Sequence, residues 1–427
     1  MPGNNTLSTL NTMFKYVQDK ASSLLPENAT LLRLVPEITN NTREGRTYLQ
    51  PVQLSHENGI TFGDGNVFAL NAASAAVYDE IDIVSYPQVL LTEISESVAG
   101  RMANSKLTFI TEASLRAEVM YNSLARFYEI AMLYGKSTTG IGTSTVASTA
   151  AGTTGNVIVT TAQWSPGIWA GAVGMQINFY AAGGALVSSG ADAIFTVTAV
   201  AAATKSFSIS GTATGITALS TAFAGVCTIM FNGAGGSSAV NGNIMFGLDA
   251  QIVGGQSFFG IDPTVYSLWQ GQTYSAASAS CTMAKVLALA GICVGSGGLN
   301  SEAVFGISAA TFQNLNADQA ALRQYDSSYN GTTAQNGVEE ITYRGPNGRI
   351  SVVVNNITKE GEGHLFPKKF VKRVGVHEMS FKRPGQNDEF FQEVPMYAGY
   401  YLRAGGDFAV LLAKPAQGGK MTGIVNS

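Results

Sequence analysis

"KLTFITEASLRAEVMYNSLARFYEIAMLYG", residues 106–135, decides how the chain is read. Leu107, Ile110, Ala113, Ala117, Met120, Leu124, Phe127, Ala131 and Tyr134 recur at steps of three and four, one apolar stripe at helical period. Asn104 or Ser105 is a candidate N-cap, and Glu112 lies near the first turn. A helix from Ser105 to Tyr134 would span about 45 Å. Gly135 suits the left-handed position that stops a helix, and Lys136 follows at the negative end of the helix dipole. The next residues complete "GKST" (135–138), the second half of a phosphate-binding loop. The glycine that such a loop needs five residues earlier is Ile130 here. A phosphate loop also opens a helix, whereas this segment closes one. Gly135 is therefore read as a helix stop.

Outward from this helix, composition sets the bounds. The chain has 427 residues, of which 45% are hydrophobic, 13% charged and 48 are glycine. That charged share is about half the ordinary one, so much of the surface is expected to be buried against something. No run of eighteen apolar residues occurs, and the first twenty residues lack the apolar stretch of a signal peptide. A membrane partner is not expected. A net charge of −4 argues neither for nor against nucleic acid. Lys368, Lys369, Lys372, Arg373, Lys382 and Arg383 form the one basic cluster, a pattern that usually marks a solvated face. Cys227, Cys281 and Cys293 have no metal-site spacing and are read as buried thiols of a reducing compartment.

Upstream, residues 1–45 carry one weak helical segment and read as an arm. Residues 46–75 read as a long hairpin, with Gly63-Asp64-Gly65 turning between two β-prone runs. An isolated two-stranded ribbon is marginal in water. Phe62, Val67, Phe68 and Leu70 are therefore expected to lie on a neighbouring subunit. Downstream, Ser137 to Leu248 contains only two charges, Asp192 and Lys205. Linker-like tracts, "STTGIGTSTVASTAAGTTG" (137–155) and "NGAGGSSAVNG" (232–242), bracket β-prone runs at 157–161, 175–180, 194–200, 207–210 and 226–231. This predicts an inserted all-β, immunoglobulin-like sandwich over 141–240, tethered flexibly and standing apart from the rest. After residue 250 the pattern is mixed: a helix over 276–294, a strand and helix over 304–325, a hairpin around Gly345-Pro346-Asn347-Gly348, and two strands turning at Ala404-Gly405-Gly406.

Catalytic signals are missing from the sequence. The three histidines, His56, His364 and His377, form no metal-binding pair, and no nucleophile elbow or Cys-x-x-Cys occurs. The adjacent acids Asp79-Glu80, Glu339-Glu340 and Asp388-Glu389 would point to opposite faces of a strand, poor geometry for acid–base work. Trp164, Trp169 and Trp269 are read as core or interface anchors. Neither an enzyme nor a cofactor is expected.

The order of pieces resembles the major capsid protein of tailed bacteriophages, with its Hong Kong 97-type α+β fold. "RTYLQPVQLSHENGITFGDGNVFALN" (46–71) is similar to the E-loop, and residues 106–135 to the spine helix. "NIMFGLDAQIVGGQSFFGIDPTVYSLWQ" (243–270) is similar to the return into the P domain, and "MAKVLALAGICVGSGGLNSEAVFGISAATFQNL" (283–315) to the A domain. The resemblance implies an arm (1–45), an E-loop (46–78), a P domain with the spine (79–140), the insert (141–240), a P-domain return (241–272), an A domain (273–380) and C-terminal P-domain strands (381–427). It further implies self-assembly into hexamers and pentamers around double-stranded DNA, held without sequence preference on the inner face. Portal, scaffold and decoration proteins are its implied further partners. The implied location is the virion capsid, with assembly in the host cytoplasm. No residues for a Lys–Asn cross-link between subunits are identified. A cellular nanocompartment shell of the encapsulin type and a β-rich adhesin or fibre stay open as alternatives.

Overall fold

The computed structural model describes residues 29–36, 47–63, 65, 67–95, 106–144, 146–223, 225–235, 242–253, 255–317, 341–345, 348–381, 391–393 and 399–426. A short helix, α1 (Thr30–Leu34), precedes β1 (Thr47–Gln53), β2 (Tyr78–Val84), β3 (Tyr86–Ser95) and the long α2 (Lys106–Tyr134). β1 and β2 pair antiparallel from Thr47↔Val84 to Gln53↔Tyr78. The hairpin therefore takes its second strand from residues the sequence pattern joined to the next unit. Beyond this paired base the ribbon runs on with sparse cross-links, such as Leu54 N to Val77 O at 2.8 Å and Asn58 N to Ser74 O at 3.1 Å. In α2 the stripe members Ala117, Met120, Leu124, Ala131 and Tyr134 are buried, as the period predicts. From Tyr128 to Tyr134, however, every side chain is buried, Glu129 included.

The insert departs further from expectation. It contains β4 (Gly142–Ser144), β5 (Val146–Ala151), β6 (Thr154–Ile158), α3 (Pro166–Trp169), β7 (Gln176–Tyr180), β8 (Phe195–Ala201), β9 (Ser206–Ser210), α4 (Ala213–Ala222) and β10 (Cys227–Phe231). In place of two stacked sheets, the strands form one seven-stranded sheet in the order β4-β10-β7-β8-β9-β6-β5. It curls until the chain just past β6 meets β4, where Thr160 N donates to Thr143 O at 2.8 Å. Strand spacing carries no information on whether a sheet splits or curls, which is why the sandwich expectation fails. α4 also breaks the all-β reading, with Thr212 capping it by accepting from Gly215 N at 3.1 Å.

Nor does the insert stand apart. The tract at 137–155 is largely strand, and residues 140–144 are buried. Residues 236–241 of the second tract lie outside the described residues. Trp164, Trp169 and Phe207 stack in series, with centroids 6.0 and 4.3 Å apart, and share one hydrophobic cluster with Leu124, Tyr134 and Phe408. Main-chain bonds at 2.9 Å join Glu360 to Trp164, Gly361 to Ala162 and Gly167 to Asn356, and Lys205 pairs with Glu360 at 2.6 Å. Small and β-branched residues made 137–155 look like a linker; burial turns the same residues into strand.

The remaining chain gives α5 (Leu248–Ile252), β11 (Gln272–Ala279), α6 (Met283–Gly297), β12 (Ala303–Ile307), α7 (Ala309–Ala317), β13 (Ile341–Gly345), β14 (Gly348–Val354), β15 (Gly363–Pro367), β16 (Val371–Ser380), β17 (Phe391–Glu393), β18 (Gly399–Leu412) and β19 (Gly419–Ile424). A mixed six-stranded sheet, β11-β19-β15-β12-β14-β13, carries its own core of Val286, Leu289, Cys293, Phe305, Leu365 and Met421. Helix α6 starts later than expected because residues 276–279 belong to β11. A second sheet centres on β18, flanked by β3 on one side and by β16 and β17 on the other. The expected turn at Ala404-Gly405-Gly406 is the middle of this continuous strand. Glycine eases a close approach there: a Cβ on Gly406 would lie 3.0 Å from the Tyr128 hydroxyl, a tight contact. Tyr128 stacks on Phe408 at 4.4 Å and donates to the Gly406 carbonyl, seating α2 on the sheet. The class is α+β, as expected. No described helix is long and apolar enough to cross a membrane.

Candidate functional site

Two features stand out, an exposed apolar ribbon and a buried ionic node. On the ribbon, Ile60 is 66%, Phe62 86%, Val67 105% and Leu70 81% exposed. Phe68 is half covered because its ring lies over Gly63, whose absent side chain leaves the space. Among the described residues, no other segment covers these side chains. Monomeric proteins rarely expose contiguous apolar surface of this kind without a use for it. Between β3, α2 and the insert lies an open groove of about 600 Å³, lined by Val89, Leu90, Leu124, Phe127, Met175 and Phe231.

At the end of α2, Gly135 does not take the positive φ expected of it; Lys136 does, at 50°. Gly135 still bonds helically to Ala131 O at 2.9 Å. Its hydrogen is required for another reason. The backbone of 245–247 crosses so closely that a Cβ would sit 2.2 Å from Met245 O, and Gly247 N donates to Gly135 O at 2.8 Å. Lys136 is buried. Its ammonium lies 4.5 Å from the Phe246 ring centre and 4.8 Å from that of Tyr86, a cation–π arrangement.

The crossing delivers α5 into the node. Asp249, Glu362, His364, Lys359 and Lys420 are each at most 3% exposed. Lys420 Nζ is 2.6 Å from Asp249 Oδ1 and 3.0 Å from Glu362 Oε1, and His364 Nε2 is 2.8 Å from Asp249 Oδ1. Ser137 donates to Asp249 Oδ2. Lys359 turns the other way, to Thr139 Oγ1 at 2.7 Å and Gln163 Oε1 at 2.8 Å, beneath the Tyr134 ring. Burial alone would push the Asp249 carboxyl up, but Lys420, His364 and Lys359 outweigh it and hold it well below the usual range. The same balance, led by Lys420 and Lys359 against burial, lowers Glu362. For Lys420, the two acids outweigh burial and raise its pKa, whereas burial wins at Lys359 and brings it down to about 8. Two cations thus meet two anions. Asp249, Glu362 and His364 have the spacing to ligate a metal ion, but the ammonium of Lys420 already stands between the carboxylates.

Of the node residues only His364 was named in the sequence, as a histidine without a metal-binding pair. The signal available was that Lys359, Glu360 and Glu362 crowd four positions of a charge-poor chain. The basic cluster is divided: Lys368, Lys369 and Lys372 are exposed, while Arg373 is buried, pairs with Glu378 at 2.7 Å and donates to Val35 O at 3.1 Å. Lys382 and Arg383 lie outside the described residues. All three cysteines are buried and none is in a disulfide, and burial pushes the Cys293 thiol up to about 12. Trp164, Trp169 and Trp269 are core residues.

No protein-family model matches the chain, and no curated protein does. Among solved structures it is similar to the cyanophage A-1(L) capsid asymmetric unit, at 10% identity and a TM-score of 0.49, over 94% of this chain and 93% of that one. It is similar to the capsid of a native GTA particle at 8% identity and a TM-score of 0.48, over 94% and 92%. A Mycobacterium phage Bobi structure is similar at 9% identity and a TM-score of 0.43, over 96% and 99%. Over nearly its whole length, the chain resembles structures of phage capsids.

Proposed function

We propose that this protein is the major capsid protein of a tailed-phage head, self-assembling into hexamers and pentamers. The observation that carries this reading is the ribbon: its large apolar side chains are exposed on the single chain, uncovered by any other described residues. A second copy of the chain supplies the missing surface. The low charge content agrees, because faces buried between subunits need no solvated charge. In this reading residues 46–78 act as the E-loop, with Phe62, Val67, Phe68 and Leu70 as its contacts. Residues 79–140 and 241–272 build the P domain with β16, β17 and β18, and the six-stranded sheet forms the A domain. The expected boundary at 380/381 is corrected, because β16 pairs with β18 and β19 returns to the six-stranded sheet. The insert, 141–240, adds neighbour contacts. Double-stranded DNA fills the interior without sequence-specific contacts, and portal, scaffold or decoration proteins join during assembly in the host cytoplasm. Electron microscopy of the purified full-length protein tests this. Closed shells of uniform diameter are expected; monomers or filaments across a range of ionic strengths and concentrations would refute it.

A further inference from the structure

We propose that Lys420 and Asp249 condense to an intrachain isopeptide bond, with Glu362 carrying the protons. Nucleophile and carboxyl are already in contact, Nζ to Oδ1 at 2.6 Å, held by strand β19 and helix α5. Such fixed proximity replaces an encounter that would be bimolecular in solution. Glu362 Oε1 is 3.0 Å from the same ammonium, and its Oε2 has no hydrogen-bond partner among the described residues. A carboxylate with a spare acceptor, touching the amine, is placed to take a proton from it. Asp249 is polarised from both sides. His364 Nε2 faces Oδ1 at 2.8 Å and Ser137 donates to Oδ2, so a negative charge growing on these oxygens meets donors in place. His364 Nδ1 has no partner among the described residues, which leaves Nε2 free to be the protonated nitrogen. Lys359 is excluded as the nucleophile because its bonds go to Thr139 and Gln163.

The step balances without an added reagent. One proton passes from the Lys420 ammonium to the Asp249 carboxylate, giving a neutral amine and a neutral acid. The amine lone pair attacks Cγ, and Glu362 takes a proton from the nitrogen. Glu362 returns that proton to the departing hydroxyl, which leaves as water, and the product is a secondary amide. An ion pair and an amide plus water carry the same net charge. The surrounding charges hold both partners ionised, so this proton transfer is the uphill, slow step, and the sealed site keeps the amide, once formed, from hydrolysis. The bond would tie the helix beside the spine to the last strand of the six-stranded sheet.

Denaturing mass spectrometry and peptide mapping of the full-length protein decide the matter. The wild-type chain is expected to be lighter than its sequence by one water, and to yield one joined peptide holding both Asp249 and Lys420. Glu362→Gln is expected to restore the full mass and two linear peptides while keeping the circular dichroism spectrum. Asp249→Asn, losing ammonia in place of water, is expected to reach the wild-type mass. A wild-type chain of full sequence mass with linear peptides means a permanent salt bridge and overturns the proposal. Should Glu362→Gln fail to fold, the wild-type mass and the joined peptide still decide.

Discussion

Replacing Phe62, Val67 and Leu70 together with serine separates the stability of the subunit from that of the assembly. In the single chain these side chains are 81–105% exposed, so their loss removes almost no intramolecular packing. Exposed substitutions of this kind shift folding stability by about 0.5 kcal/mol or less. If a neighbouring subunit covers them, each contributes about 1.5–3 kcal/mol on burial. Allowing for partial coverage, the triple variant should lose roughly 5 kcal/mol of association free energy per subunit, between three and four powers of ten in the association constant. The assay pairs chemical denaturation of dissociated subunits with light scattering across a concentration series. The expected outcome is an unchanged unfolding midpoint and a concentration threshold for assembly that rises beyond reach. Two results would refute the reasoning: assembly at the wild-type threshold, or a subunit destabilised as much as the assembly.

Other outcomes follow from helix α2. Gly135→Ala places a methyl group against the crossing backbone at Met245 and should destabilise the fold by about 1–3 kcal/mol, read from the denaturation midpoint; a shift under about 0.5 kcal/mol would show that the crossing yields. Glu129 is buried and accepts from Leu31 N at 3.0 Å, and burial raises its carboxyl to about 7. A folded-state pKa above the unfolded one means that the native chain binds the extra proton. Stability is therefore highest below the unfolded value and falls as pH rises toward 7, by about 3 kcal/mol in total. Glu129→Gln should flatten this slope and gain stability at pH 8, and denaturation at a series of pH values would show a persisting slope if Glu129 is not its source.

What the sequence determined by itself was local. The 3.6-residue stripe of residues 106–135 produced the long helix, because periodic apolar side chains specify one buried face whatever covers it. Alternating and β-branched runs located β6 to β10 within a few residues. Exposed Phe62, Val67 and Leu70 followed from the same logic, since a lone ribbon has no interior. The tertiary structure decided which strands pair and how closely chains cross. Residues 137–155 lack any pattern that separates a linker from a buried strand, and only the curled sheet around them removed that ambiguity. Gly135 and Gly406 were read as a stop and a turn because glycine permits both, yet each faces a neighbour more than 100 positions away, Met245 at a distance that excludes a Cβ and Tyr128 at one that leaves it tight. The ionic node was invisible for the same reason. Asp249 and Lys420 lie far in sequence from the group Lys359, Glu362 and His364, and charges so placed are ordinarily solvated. Their burial is tolerable only because folding brings cations and anions together in matching numbers.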